Sequence, residues 1–194
     1  MAISSSSRHA TQVWPRDSWK RLIVELNRRW GTRCVAVAPP GDPYGLKALE
    51  QETNGLLTVA APSSLGFLAA MLRRADALIC DCSGPRHFGV SQGTPTLAII
   101  GGSRRDVWRY PSKLHREVHL DLPCQPCGAR SCRLGGVPCM KRMPVELVLD
   151  AFADLRRATH PDPERGARGN VAPTLKPLGR PLRANPGPDT RPGP

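Results

Sequence analysis

Two apolar runs of strand length, ALIC at 77–80 and PTLAII at 95–100, flank a helix-length segment at 84–92, and small residues follow close behind each run. Antiparallel strands can be joined by a two-residue turn, whereas parallel strands need a crossover of a dozen residues or more, usually a helix. The same beat recurs upstream. DSWKRLIVELNRRW at 17–30 sets Trp19, Leu22, Ile23, Leu26 and Trp30 on one helical face, with Asp17 as a cap. CVAVA at 34–38 reads as a buried strand, 46–51 as a short helix and LLTVA at 56–60 as a strand. Ser63 or Ser64 caps a helix carrying Leu65, Leu68, Ala69 and Leu72. EVHLD at 117–121 supplies a last strand. PVELVLDAFADLRR at 144–157 is a last helix, with Pro144 at its first position and Val145, Val148, Leu149 and Phe152 inward. Strands alternating with helices predict an α/β fold built on a doubly wound parallel sheet.

In such a sheet, ligands bind outside the carboxyl ends of the strands. The loops 81–87 and 101–105 each follow a predicted strand. The first opens a helix, whose leading N–H groups and dipole favour a phosphate, and Ser83 and Gly84 let an anion approach the backbone. Gly101, Gly102, Ser103 and Arg104 form the second. A tight turn that needs glycine for geometry alone is the plainer reading of either loop by itself. The two together, on successive strand ends, favour a phosphate-bearing ligand. His87 is either a contact of that ligand or a histidine bonded to backbone near a helix start. Asp42, after the 34–38 strand, either reaches a ribose hydroxyl or serves a surface turn. With 28 Lys and Arg against 16 Asp and Glu, the formal charge of +12 suits anionic partners: phosphates, nucleic acid or an anionic membrane surface.

SGPRH at 83–87, GTPTLAIIGGS at 93–103 and Trp108-x-Tyr110-Pro111 together resemble the carboxyl-terminal domain of glycosyltransferase family 9, the ADP-heptose:lipopolysaccharide heptosyltransferases. SSSSRHATQVWPRDSW at 4–19 is similar to the family segment that enters this domain and ends in Thr-Lys-x-Trp-Pro. SSLGFLAAMLRRADALIC at 63–80 and the cysteine-rich CQPCGARSCRLGGVPCM at 124–140 also match, so the resemblance covers about residues 3–157. It implies a Rossmann-like domain, one half of a two-domain enzyme, that binds a nucleotide-diphosphate sugar resembling ADP-heptose. It further implies transfer with inversion, no cofactor required for transfer, and a product in lipopolysaccharide or a related surface glycan. The catalytic base would belong to an amino-terminal domain not in this chain, so the catalytic residue is unknown here and a separate acceptor-binding domain or chain is an expected partner. By the resemblance, Ser83, Gly84, His87, Gly101, Gly102, Ser103 and Arg104 hold the donor phosphates. Two positions depart from the pattern. Gln12 stands where the family has a lysine, and Cys82 where it has an aspartate. Asp81 is one residue early, and adjacent side chains on an extended segment point opposite ways.

Four of the seven cysteines read Cys124-x2-Cys127-x4-Cys132-x6-Cys139. Four thiolates on one loop suit a structural zinc; an iron–sulfur cluster and reduced thiols stay open as alternatives. Cys34 and Cys80 read as buried small apolar residues. The same cysteine spacing and the basic charge support a rival reading, a zinc-knuckle-type nucleic-acid-binding module. A third is a non-catalytic subunit that pairs with a separate acceptor domain. From Ala158 on, a Pro-, Gly- and Arg-rich stretch has hardly any apolar periodicity. Disorder is expected over 158–194, leaving one domain at 1–157. The first twenty residues hold no apolar signal core, and no run nears the ~20 residues that span a bilayer. The expectation is a cytoplasmic protein, with peripheral contact at the inner membrane left open.

Overall fold

The computed structural model describes residues 1–160 apart from positions 6, 8, 40, 43 and 63; the rest of the expected disordered tail, 161–194, lies outside the described residues. Six strands form one parallel sheet: β1 (Ala2–Ser4), β2 (Cys34–Val37), β3 (Leu57–Ala60), β4 (Leu78–Asp81), β5 (Thr96–Ile100) and β6 (His115–His119), in the order β3-β2-β1-β4-β5-β6. Between and after them run α1 (Arg16–Trp30), α2 (Leu46–Glu52), α3 (Leu65–Arg73), α4 (Gly84–Ser91), α5 (Arg105–Trp108), α6 (Pro138–Lys141) and α7 (Val145–Thr159). The predicted doubly wound, Rossmann-like sheet is present.

The strand that organises it is the one that sequence periodicity did not reveal. β1 is only three residues long, all buried, and pairs with both β2 and β4, Ala2 standing opposite Val35 on one side and Leu78 on the other. Strand order therefore reverses between β1 and β4, and the loops leaving these two strands part to open a crevice at their carboxyl ends.

Alternation along the strands supplies both cores. Ile3, Ala36, Ile79, Leu97, Ile99 and Val118 face α1 and α7, where Leu22, Ile23, Val148 and Leu149 are fully buried. Leu78, Cys80, Ala98 and Ile100 face the other way, onto Leu68 and Leu72 of α3 and Phe88 of α4. α4 lies close on the sheet because Gly89 has no side chain: a Cβ there would sit 2.9 Å from Leu78 Cδ2 and 3.1 Å from Thr96 Cγ2.

Several local expectations shift. β6 starts at His115, two residues before the predicted 117, because its register is set by pairing with β5: Thr96 opposes His115 and Ile100 opposes His119. Asp121 lies beyond the strand, exposed. α7 begins after Pro144, which is its N-cap residue, and runs on to Thr159, past the predicted end at 157. Asp17 falls in the first turn of α1, which starts after Pro15. Ser64 does cap α3, its hydroxyl accepting from Phe67 N at 3.1 Å. Leu65, expected on the buried face of α3, is its first residue and stands exposed, while Leu68 and Leu72 on later turns are buried. Asp42 serves the surface turn: its carboxylate accepts from the backbone N–H groups of Leu46 and Lys47, at 2.8 and 2.9 Å, and so caps α2.

Candidate functional site

At the crevice between β1 and β4 the structure has a cleft of about 610 Å³. Three strand-end loops and the cysteine loop meet there. The loop after β1 brings Ser7, His9 and Gln12; that after β4 brings Cys82, Ser83, Gly84 and His87; that after β5 brings Ser103, Arg104 and Val107. The cysteine loop adds Gly128, Ala129 and Arg130. Seven of the sequence-derived donor positions, Gln12, Cys82, Ser83, Gly84, His87, Ser103 and Arg104, thus line one cavity. A larger hollow of about 1030 Å³ follows the open edge of the sheet beside β6, past Arg109, Lys113 and Arg116, and Arg104 is the one donor position it shares with the cleft.

Gly101 and Gly102 do not line the cleft; they stand behind its wall. A Cβ on Gly101 would lie 2.1 Å from the Thr11 carbonyl oxygen and 2.7 Å from Met140 Sδ. One on Gly102 would lie 3.0 Å from Cys127 Sγ. Close packing of three loops accounts for this pair. Gly102 N donates to Thr11 O at 3.0 Å, Gly128 N to Gly102 O at 2.7 Å, and the Thr11 hydroxyl to Ala129 O at 2.7 Å. Gly84 is the opposite case: a Cβ there would meet nothing within 4 Å, and its φ needs no glycine, so the space above it is open.

Gln12 works as a cross-brace. Its amide oxygen accepts from the Ser7 hydroxyl at 2.7 Å and its Nε2 donates to Ser103 Oγ at 2.5 Å, joining the loops after β1 and β5. It brings hydrogen bonds to the place of the family lysine but no charge. Cys82, half-exposed, borders the cleft at the family aspartate position. Asp81 does not take over. It is fully buried, and its Oδ2 accepts from Ser7 N at 3.4 Å, so it holds the loop after β1 rather than facing the cleft. Residue alternation at the end of β4 sends the two side chains to opposite faces.

The leading end of α4 opens on this cleft, and Ser83, its N-cap residue, makes no side-chain cap to the helix. Pro85 has no N–H and Arg86 N already donates to Ser83 O at 3.1 Å, so the partial positive charge of this helix start is presented at Gly84. Among the described residues, Arg104 and Arg130 supply the full charges on the rim. Arg104 is tied to Asp106, which the guanidinium holds below the usual carboxylate range. His87 borders the cleft half-buried. Burial first, and the Arg86 charge second, push its imidazole below the ordinary range.

The four cysteines of 124–139 share one loop region but differ in exposure. Cys139, on α6, is buried against the core, while Cys124, Cys127 and Cys132 are half-exposed. Burial first, and the nearby Cys127, Cys124 and Cys132 second, push the Cys139 thiol up. Among the described residues, however, no three His, Cys, Asp or Glu side chains are arranged to hold a metal ion. The set fits a thiophilic metal by chemistry and not by its present spacing.

Ser7, His9, Val107 and the Gly128–Ala129–Arg130 corner were not legible as site residues. Ser7 and His9 follow a strand too short to show a period, and the corner reaches the cleft through contacts more than a hundred residues distant in sequence.

The family model of glycosyltransferase family 9 (heptosyltransferase) matches residues 1–137. Lipooligosaccharide heptosyltransferase 2 of Campylobacter jejuni is 31% identical over 113 residues, covering 58% of this chain and 35% of that protein. The crystal structure of a family 9 glycosyl transferase from Veillonella parvula superposes with a TM-score of 0.67 at 24% identity, over 80% of this chain and 45% of that one. The dodecameric iron-containing heptosyltransferase TibC of Escherichia coli, solved in complex with ADP-D-beta-D-heptose, superposes with a TM-score of 0.63 at 16% identity, over 81% and 45% of the two chains. The chain thus spans about a third of that curated relative and under half of the solved chains. Fold, motif order and the matched span agree: the chain belongs to glycosyltransferase family 9, the heptosyltransferase family.

Proposed function

We propose that this chain is the donor-binding domain of a heptosyltransferase-type enzyme. It holds the diphosphate of a nucleotide-activated sugar, ADP-heptose or a close relative, in the cleft between β1 and β4. The observation that carries this reading is the leading end of α4, without a side-chain cap and under the open space at Gly84, set among Ser103, Arg104 and Arg130. A nucleoside diphosphate is the leaving group of such a transfer, and the charge it gathers is stabilised by fixed N–H dipoles and cations. The acceptor hydroxyl and the base that deprotonates it come from an acceptor-binding domain or a second chain. Attack on the anomeric carbon then proceeds with inversion, at the cytoplasmic face of the inner membrane, in the making of lipopolysaccharide or a similar surface glycan. The relative TibC, solved with a nucleotide-activated heptose, supports the substrate class.

The test is calorimetric titration of the whole chain with ADP, UDP, GDP and a short oligonucleotide at two salt concentrations. Saturable binding of one nucleotide, lost in Gly84→Trp, is expected. A folded protein that binds no nucleotide refutes the reading. Oligonucleotide binding with a steep salt slope replaces it with the nucleic-acid module.

Cys124, Cys127, Cys132 and Cys139 are proposed as a structural metal clamp for zinc. Their spacing within one loop, Cys124-x2-Cys127-x4-Cys132-x6-Cys139, supports it, and the loop they would fix carries Gly128, Ala129 and Arg130 into the cleft wall. Elemental analysis of protein purified without chelator should find about one zinc per chain. A folded, metal-free chain that takes up no zinc on reconstitution refutes the clamp; iron in its place reassigns the ion.

A further inference from the structure

Behind His87 lies a chain of contacts that neither the family pattern nor the donor-site reading uses. Arg86, the next residue, is completely buried, and its Nη2 donates to Glu117 Oε1 on β6 at 2.6 Å. Its Nε and Nη1 have no hydrogen-bond partner among the described residues. The guanidinium is instead stacked over the ring of Tyr110, 5.2 Å from Cζ to the ring centroid. The Tyr110 hydroxyl is hydrogen-bonded to Nδ1 of His87. The Tyr110 ring also meets His115 edge-on, centroids 5.7 Å apart, and His115 Nδ1 is bonded to the Thr96 hydroxyl at 3.1 Å. Glu117, Arg86, Tyr110 and His87 form one line from the sheet edge to the cleft.

The direction of the last bond follows from the charge at its far end. A cation over the face of a phenol ring draws electron density from it, which makes the hydroxyl a stronger donor and a weaker acceptor. Burial first, and the neighbouring Arg86 charge second, also lower the His87 imidazole below its ordinary range. A neutral imidazole has one donor and one acceptor nitrogen, and the partner of one nitrogen decides which is which.

We propose that Tyr110 is a positioning residue for the donor site: its hydroxyl donates to His87 Nδ1 and so fixes the imidazole proton on Nε2, giving the cleft that His87 lines a donor for the diphosphate. Arg86 and Glu117 hold Tyr110 in place to do so. The diphosphate part of this inference rests on the donor-site reading above; the tautomer does not. It also explains how a cleft with glutamine in place of lysine keeps an oriented donor near the phosphates.

Long-range proton–nitrogen NMR of the whole chain, 15N-labelled at histidine, tests the tautomer directly, with His87→Ala assigning the resonance. At pH 7 the His87 ring should show an acceptor-type Nδ1 and a protonated Nε2. Tyr110→Phe keeps the ring under Arg86 and removes only the hydroxyl. It should turn His87 into an averaged mixture of tautomers, leave the amide spectrum otherwise intact, and weaken ADP binding about threefold to tenfold, the range for one lost hydrogen bond. A protonated Nδ1 or a charged ring in the wild type overturns the proposal, and this holds even if Tyr110→Phe does not fold. An unchanged tautomer in Tyr110→Phe overturns it as well. Wild-type protein that shows the expected tautomer yet binds no ADP removes the donor-site reading and leaves the Tyr110–His87 assignment standing.

Discussion

Arg86→Met and Glu117→Gln each remove one partner of an ion pair that water hardly reaches. The Arg86 side chain is 1% exposed and that of Glu117 14%, and their atoms are 2.6 Å apart. The contrast is the Arg21–Glu146 pair, 62% and 53% exposed, where screening leaves about 0–1 kcal/mol. Breaking a buried pair from one side costs about 3–5 kcal/mol, because the remaining charge is stranded in a medium that solvates it poorly. The two sides are not equal. Glu117 borders the hollow beside β6 and regains some water when Arg86 is lost, so Arg86→Met falls at the lower end of that range. Glu117→Gln leaves a guanidinium that already lacks partners at Nε and Nη1, so it falls at the upper end. The double variant Arg86→Met/Glu117→Met strands no charge and should be markedly less destabilised than either single one. Urea unfolding followed by circular dichroism at pH 7, repeated at high salt, measures these variants, Arg21→Ala and the wild type. High salt should barely change the wild-type pair and should abolish what little Arg21→Ala costs. Single variants within about 1 kcal/mol of wild type, or a double variant that costs the sum of the two, would refute the reasoning.

Gly101→Ala puts a Cβ against the Thr11 carbonyl and Met140; overpacking there should cost about 1–3 kcal/mol in the same unfolding assay, and ADP binding should weaken because the loops on both sides line the cleft. Gln12→Lys should tighten ADP binding and steepen its salt dependence in calorimetry; weaker binding with an unchanged slope would mean that the brace to Ser7 and Ser103 matters more than the charge. His87, His115 and His119 are all held below the ordinary imidazole range, burial first in each case, then Arg86 for the first two and Arg105 for the third. The folded state therefore binds fewer protons than the unfolded one, so stability is full above the unfolded value of about 6.5 and declines as pH falls below it. Thermal midpoints measured from pH 7.5 to 5 should show that decline, and a flat profile would contradict it. A thiol reagent at pH 8 should modify Cys82 and spare Cys34, whose burial pushes its thiol up to about 11, and Cys80, which is buried still more completely; peptide mapping by mass spectrometry reads the pattern.

The alternation of apolar runs with helical periods determined the fold class, because a period of two or 3.6 is a local property and shows wherever an element lasts more than a turn or so. It located β2 to β5 and the helices α1, α2, α3, α4 and α7 to within one or two residues. The small-residue loops after β4 and β5 likewise marked two walls of the cleft, since a helix start needs no distant partner to present its N–H groups. Tertiary structure decided the rest. β1 is three residues of Ala, Ile and Ser that become the centre of the sheet only by pairing with β2 and β4, and without it the crevice where strand order reverses has no location. Gly101 and Gly102, expected as phosphate contacts, also stand where three loops pack, a close approach set by Thr11 and Met140, residues remote in sequence. The motif left open which of Asp81 and Cys82 faces the cleft; the burial of Asp81 beneath Ser7 N, with Cys82 at the cleft wall, comes from the fold. The line Glu117–Arg86–Tyr110–His87 joins a strand edge, a helix start and a loop, and no sequence period records it. A period records which face of an element is apolar; which residues meet across elements depends on how the chain folds back on itself.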